Sequence, residues 1–338
     1  VAYVPSDTYT GDLKWETTSQ FNVGVDLSLF NNRLRMTADY YRKKTTDLLN
    51  NVEMPRSSGY TTALRNIGSI RNSGFELQLD GRIIDRAVKW DLGVNFSLNR
   101  SKVLVLSEDK DIFGGELDNT ILKDQLNLMR VGEPMYVFYG YVEDGYDENG
   151  HIVYKNMDDD SAITAADKTI IGDPNPDFLV NLTTAVSYKG FTLSAFFQSS
   201  IGNDIYSLSM AAQAYDYGYN GNTLREVYYN HWTPENPTAK YPNLDQTSYK
   251  MSDRFVYDGS FVRLKNLELA YDVPCARSKF IKRARVYVSA QNLFTITSYP
   301  FWDPDINANG GGSSMIQGVD SYCYPSARTY TIGCRLTF

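Results

Sequence analysis

The sequence predicts an all-β protein, a transmembrane antiparallel β-barrel with long extracellular loops, and three observations carry the prediction. Its strand-like stretches alternate apolar and polar residues over about ten residues or more, as a tilted membrane strand requires, where strands of soluble sheets commonly stop at about five or six. The connections between these stretches are short and long by turns. The last stretch, 326–338, is itself such a strand: Tyr330, Ile332, Cys334, Leu336 and Phe338 fall on one face, and Thr329, Thr331, Gly333, Arg335 and Thr337 on the other. It ends on an aromatic residue and reads as the closing strand of the barrel.

Composition narrows the choice without making it. No run of about 18 apolar residues occurs, so a spanning helix is excluded, whereas spanning strands hide their apolar residues in alternation. The 26 tyrosines are residues that settle at membrane interfaces, although a tyrosine-rich secreted β-sandwich would show the same composition. The net charge of -7 argues against nucleic acid, which selects basic surfaces. Cys275, Cys323 and Cys334 are an odd number with no metal-like spacing. Cys334, on the apolar face of the last strand, reads as a small hydrophobe. The chain starts at Val1 without methionine or signal peptide, and is expected to be a processed product or a piece of something longer.

Taken in order, 1–14 is polar and turn-rich. In 15–29, Trp15, Phe21, Val23, Val25, Leu27 and Leu29 alternate with Glu16, Asn22, Gly24, Asp26 and Ser28. A turn at Asn31-Asn32 leads into 33–48, where Leu34, Met36, Ala38 and Tyr40 oppose Arg35, Thr37, Asp39 and Tyr41; together these make a hairpin. After a loop at roughly 50–66, Ser73, Phe75, Leu77, Leu79 and Ile83 alternate with polar residues. A turn at Asp85-Arg86 then gives the clearest strand, with Val88, Trp90, Leu92, Val94, Phe96 and Leu98 on one face. Residues 105–177 form a large acidic excursion with little alternation beyond 135–141. Strands resume at Phe178–Tyr188 and, past a tight Lys189-Gly190 turn, at Phe191, Leu193, Ala195 and Phe197. A second excursion, 206–254, is crowded with aromatics. Strand signal returns at 255–271, imperfect around 262–266, and again at Val286, Val288 and Ala290. The Gly-rich stretch Asn309-Gly310-Gly311-Gly312 precedes the final strand.

Connections near 31, 86, 189 and 275 are thus short, while 50–66, 105–177, 206–254 and 298–325 are long. This strict parity is that of a barrel with tight turns on one side and extended loops on the other; a Greek-key sandwich has no reason to obey it. The strands number about nine, an odd count for a single-chain bacterial barrel, so further wall is expected from an N-terminal part.

Particular motifs then resemble one family. Leu13-Lys14-Trp15-Glu16-Thr17-Thr18 with Asn22-Val23-Gly24-Val25-Asp26 is similar to a segment of the SusC/RagA family of TonB-dependent outer-membrane transporters. So are Asp39-Tyr40-Tyr41, Asn66-Ile67-Gly68, Asn72-Ser73-Gly74-Phe75-Glu76 and Tyr139-Gly140-Tyr141. The most specific piece is Ile171-Gly172-Asp173-Pro174-Asn175-Pro176-Asp177-Phe178, followed by Phe196-Phe197-Gln198 and Gly202-Asn203-Asp204-Ile205-Tyr206. Trp232-Thr233-Pro234-Glu235-Asn236-Pro237 and Ser289-Ala290-Gln291-Asn292-Leu293-Phe294 complete the set. The resemblance implies the C-terminal part of a barrel of about 22 strands with a plugged lumen, its plug and TonB box lying upstream of Val1. It also implies location in the bacterial outer membrane and active import of a large nutrient, a glycan or a peptide. A SusD-like surface lipoprotein would close over the outer face, and TonB-ExbB-ExbD would supply the energy. The rivals are a passive porin or adhesin barrel and a secreted carbohydrate-binding sandwich.

Asn156, Asp158, Asp160, Ala162, Thr164 and Asp167 fall at positions 1, 3, 5, 7, 9 and 12 of an EF-hand-like loop, a spacing that curls oxygens around Ca²⁺ (or Mg²⁺). Ser161 replaces the turn glycine, and Asp167 the longer Glu. The alternative is a solvated acidic loop. Tyr206, Tyr215, Tyr217, Tyr219, Tyr228, Tyr229, Trp232, Tyr241 and Tyr249 could meet cargo, form a seam with the lid protein, or pack the loop itself. His151 and His231 lie in loops with no nucleophile or ligand partner at recognisable spacing, so no catalysis is expected. The lumen-facing Arg33, Arg35, Arg82, Lys89, Arg285 and Arg335 read as a hydrated, salt-bridged interior rather than a selectivity device. Phe338, with Tyr330 and Ile332, reads as the C-terminal signal used by the barrel-assembly machinery, or simply as the aromatic end of a last strand.

Overall fold

A computed structural model describes residues 12–53, 57, 59–60, 62–107, 110–118, 122–215, 222–275, 280–306 and 316–338. Nine long strands form its wall: β1 (Thr17–Leu29), β2 (Leu34–Glu53), β3 (Thr62–Asp85), β4 (Val88–Leu106), β5 (Phe178–Tyr188), β6 (Phe191–Ile201), β7 (Phe261–Val273), β8 (Arg283–Thr297) and β9 (Thr329–Thr337). They are hydrogen-bonded in chain order, every pair antiparallel, in one meander.

Register turns the alternation of each strand into a property of the whole sheet. Leu27, Met36, Leu79, Val94, Leu182, Phe197, Leu264 and Phe294 are successive cross-strand partners, an unbroken apolar row from β1 to β8. One residue along, Asp26, Thr37, Gln78, Asn95, Asn181, Gln198, Arg263 and Thr295 make an equally unbroken polar row on the opposite face. Among the described residues no second sheet covers the apolar face: Val23, Val25, Leu193, Leu269, Val288 and Ile332 are all exposed, the last by 85%. A sandwich would bury that face, so the sandwich rival fails here.

Three of the short connections stand where expected, at 30–33, 86–87 and 189–190, whereas the one near 275 spans 274–282 and is longer than 54–61. Lys189 and Gly190 both take positive φ (47° and 88°), the geometry of a two-residue hairpin turn matched to strand twist. The loop expected at 50–66 is shorter than anticipated, because β2 runs to Glu53 and β3 starts at Thr62. Register shifts at Thr45/Leu48 and at Ser69/Ile70 throw the outer parts of both strands out of alternation, which hides them from a period-two reading. The imperfect stretch around 262–266 has the same cause, a shift between Leu264 and Asn266. At about 3.4 Å per residue, the 24-residue β3 is far longer than the roughly ten residues a bilayer takes, and the long hairpin projects beyond it.

The buried core lies outside the wall. Leu117, Leu126, Phe138, Tyr141, Ile152, Tyr154, Tyr206, Tyr215, Val227, Tyr241, Met251, Phe255 and Val319 form one cluster drawn from both excursions and from the last long loop. Ile67, Val103, Leu106 and Met129 make a smaller cluster where the ends of β3 and β4 meet this cap. Within 105–177 the 135–141 signal is a short strand, Val137–Gly140, in a four-stranded sheet. Among its described residues the second excursion holds two helices not expected from alternation, α1 (Leu208–Tyr215) and α2 (Arg225–Tyr229). The run of Leu, Met, Ala and Gln in α1 has the propensity to signal it.

Candidate transport face and cap

The two faces of the wall differ in chemistry all the way to the short-turn end. On the apolar side, Tyr188, Phe191 and Tyr271 are consecutive cross-strand partners, with the Phe191 and Tyr271 rings 4.5 Å apart. Trp90, next to the 86–87 turn, donates its indole N–H to Thr184 at 2.9 Å. Such rings form an interfacial girdle of the kind seen on membrane barrels. On the polar side Arg82 pairs with Asp91 at 2.9 Å and Arg285 with Glu268 and Asp272 at 3.4 and 3.5 Å. Arg33 donates to the carbonyls of Arg82 and Ile83. Arg33, Arg35 and Arg82 border one concave region with Asp80, Asp85 and Asp91. This mixture of signs matches a hydrated, ion-paired interior.

Above the long-loop end the cap is joined by contacts between residues distant in sequence. Arg254 donates through Nε to Glu143 at 2.7 Å, and its other nitrogens reach Glu143, the Lys240 carbonyl and Tyr146. Ser252 donates to the second Glu143 oxygen at 2.6 Å, and the Glu143 N–H reaches Asp253. Burial is the largest single influence and opposes the Arg254 charge, but the hydrogen bond to Glu143 together with the electrostatic pull of Tyr215, Glu143 and Tyr146 outweighs it and holds the guanidinium protonated. No local spacing announces this pair.

The predicted aromatics separate by position. Tyr206, Tyr215 and Tyr241 are buried within the cap core, at 0%, 4% and 2% exposure. Tyr215 stacks on the half-buried Tyr249 at 3.8 Å. Of the roles open to them, loop packing is the one this position allows, since a ring sealed in a core meets neither cargo nor lid. Trp232 is half-buried, and its ring lies directly on Gly150; a Cβ there would sit 2.2 Å from it. With φ of +80° in the turn after Asp147, Gly150 serves both the turn and the close approach. Tyr228 and Tyr229 stay exposed, 60% and 75%, with rings edge to face. Tyr217 and Tyr219 lie outside the described residues.

The EF-hand-like loop closes on itself. Asn156, Asp158 and Asp160 each turn a side-chain oxygen onto the N–H two residues on. Asp167, fully buried, accepts from Met157 and Thr164, both at 2.7 Å, completing a capping box with Thr164. These backbone donors hold its carboxyl below the usual aspartate range, against the opposing effect of burial. Among the described residues no three His, Cys, Asp or Glu side chains gather in a way that could hold a metal ion. The turns of this loop are set by its own backbone donors.

His151 has a partner that spacing did not show, Asp245 at 2.9 Å. His231 faces the Tyr228 carbonyl. Neither, among the described residues, is hydrogen-bonded to a hydroxyl or thiol nucleophile. Tyr330 and Ile332 pair with Ala290 and Val288 on the apolar face, and Phe338, just past β9, is 71% exposed.

Comparison with known proteins agrees with this geometry. A family model described as TonB dependent receptor-like, beta-barrel, matches residues 2–293. The TonB-dependent receptor P3 of Formosa agariphila is 34% identical over 99% of this chain and 35% of its own length. The TonB-dependent receptor SusC of Bacteroides thetaiotaomicron is 29% identical over 98% of the chain and 33% of its length. A solved structure of the RagAB peptide transporter superposes with a TM-score of 0.84 at 29% identity, covering 98% of this chain and 36% of that one. The chain therefore spans about a third of the relatives it matches. Wall, girdle and sequence agree: the chain belongs to the TonB-dependent receptor-like β-barrel family, whose members of the SusC and RagA type are outer-membrane proteins.

Proposed function

We propose that this chain is the C-terminal wall and extracellular cap of an active importer of a large nutrient, an oligosaccharide or a peptide, energised through TonB-ExbB-ExbD. The observation that carries this reading is the pair of unbroken rows, apolar from Leu27 to Phe294 and polar from Asp26 to Thr295, under a cap built from all the large loops on one side. A wall of this kind meets lipid on one face and a wet interior on the other, and the cap gives the outer mouth a rigid rim. The import reading is supported by the relatives, one named SusC and one described as a peptide transporter. The chain acts as a conduit, not as an enzyme. A SusD-like surface lipoprotein would cover the cap, with the exposed Tyr228 and Tyr229 as its contacts or those of cargo. Phe338, with Tyr330 and Ile332, would be the assembly signal.

Uptake by cells carrying the full-length gene tests the reading. Radiolabelled peptides and oligosaccharides are offered in parallel, with and without TonB. Accumulation of one class that vanishes without TonB is the expected result. Equal accumulation in both strains would identify a passive porin and defeat the proposal.

A further inference from the structure

One arginine of the polar row is unlike its neighbours. Arg263 is the third residue of β7, at the long-loop end of the wall, and its side chain is 1% exposed. An arginine on a wetted face has no reason to be buried unless something is fastened over it. Here the cover is the segment 299–306 and 316–326. Arg263 donates from Nε to Thr295 on the neighbouring strand at 2.9 Å, and through its other nitrogens to Asp303 and to Ser326 Oγ at 3.2 Å. Asp303, itself buried, also accepts the N–H groups of Asp305 and Ser326, both at 2.9 Å. Burial alone would raise the Asp303 pKa; these donors together hold it below the ordinary value.

The same segment is fastened a second time, to the cap. Val319 and Asp320 pair in parallel with Tyr206 and Ser207, and Ile316 and Val319 enter the cap core. The Tyr299 hydroxyl reaches Asp320 at 2.5 Å and Ser207 at 2.9 Å. Between the two anchors stand Phe301 and Trp302, stacked at 4.7 Å with a 19° interplanar angle. Trp302 remains 56% exposed and borders a cavity of about 350 Å³ with Thr295, Thr297, Asn292 and Arg328. Thr295 belongs to the polar row, so the ring stands on the wetted side of the wall.

We propose that Arg263 is a positioning residue for transport: it straps this segment to the inner wall of the mouth and so holds the Phe301–Trp302 stack beside the path of cargo. The proposal rests on the importer reading for the word cargo, but its test does not. Cys323 lies in the strap, half-buried, its N–H on Asp320 and its thiol pKa raised chiefly by burial, which slows its reaction. In full-length protein in outer membranes, with Cys275→Ser and Cys334→Ser, the labelling rate of Cys323 by a membrane-impermeant maleimide reports strap release. Breaking a buried ion pair is costly, so Arg263→Met should raise that rate about tenfold or more. Asp303→Asn, altered on the strap and not the wall, should do the same. Because both remove one interaction, the double variant should be no faster than the singles. Heat-modifiable gel migration shows that the wall is folded, and Asp303→Asn carries the test if Arg263→Met is not. Trp302→Cys should react with the impermeant reagent. Unchanged Cys323 labelling in a folded single variant, multiplying rates in the double variant, or a Trp302→Cys reached only by a lipid-soluble maleimide would each overturn the proposal. Neither readout needs cargo or TonB, so failure of the import reading is scored separately.

Discussion

Arginine placed at Val94 and at Asn95 should have opposite consequences. The two residues are neighbours on β4 but belong to opposite rows. Val94 is flanked across the sheet by Leu79 and Leu182, and Asn95 by Gln78 and Asn181. Val94 lies six residues past Val88, the first of β4. At about 3.4 Å per residue and a tilt of about 40°, that is roughly 16 Å from the short-turn rim, near mid-depth of an apolar band about 25 Å tall. A lipid-facing arginine at that depth costs about 2–4 kcal/mol, a loss of about 30- to 1000-fold in the folding equilibrium. Asn95→Arg enters a hydrated polar face and should stay within about 0.5 kcal/mol of the parent. Urea titrations of the full-length protein in lipid vesicles, read by heat-modifiable gel migration, measure both. Equal costs, or the larger cost at Asn95, would mean that the apolar row does not face hydrocarbon, and the membrane reading would fail.

Three further outcomes follow from the cap. Glu143→Ala strands the Arg254 guanidinium among Tyr146 and the Lys240 carbonyl, and should cost the cap about 3 kcal/mol; amide exchange at 240–254 should speed up while that of the wall strands does not. Gly150→Ala puts a methyl 2.2 Å from the Trp232 ring at a φ of +80°, so the indole must move. A shifted Trp emission with lowered thermal stability is expected, and an unchanged spectrum would contradict the packing. Asp167 has a depressed folded-state pKa, so its stabilising contribution is complete above the ordinary aspartate range and disappears as pH falls through the folded value. The Tm difference between parent and Asp167→Asn should accordingly shrink on acidification. A difference that is constant with pH, or one abolished by EDTA at neutral pH, would instead mean that the loop does not hold itself closed.

The motifs differ in how far they could be read. Alternation located all nine wall strands, since a strand with one lipid and one water face must repeat with period two. It stopped short at 50–66, where register shifts put two residues against one and the period is lost. The tyrosines show the limit for sites. Tyr206 and Tyr229 are the same residue type in the same aromatic-rich excursion, yet one is sealed in the core and the other is 75% exposed, a difference that no neighbouring residue announces. In the EF-hand-like loop the direction in which Asp167 points is set by the N–H groups of Met157 and Thr164, which no residue spacing announces.

What the sequence determined alone is therefore the wall: its strands, their two faces, the side on which each connection leaves, and the family. These are properties of residues two apart or of adjacent turns, so the chain states them locally. What only the tertiary structure decided is the cap. Glu143 meets Arg254 across 111 positions and Arg263 meets Asp303 across 40. Loops without periodicity find their core only by meeting one another, and the physical reason is the cost of burying an ion anywhere but beside its partner.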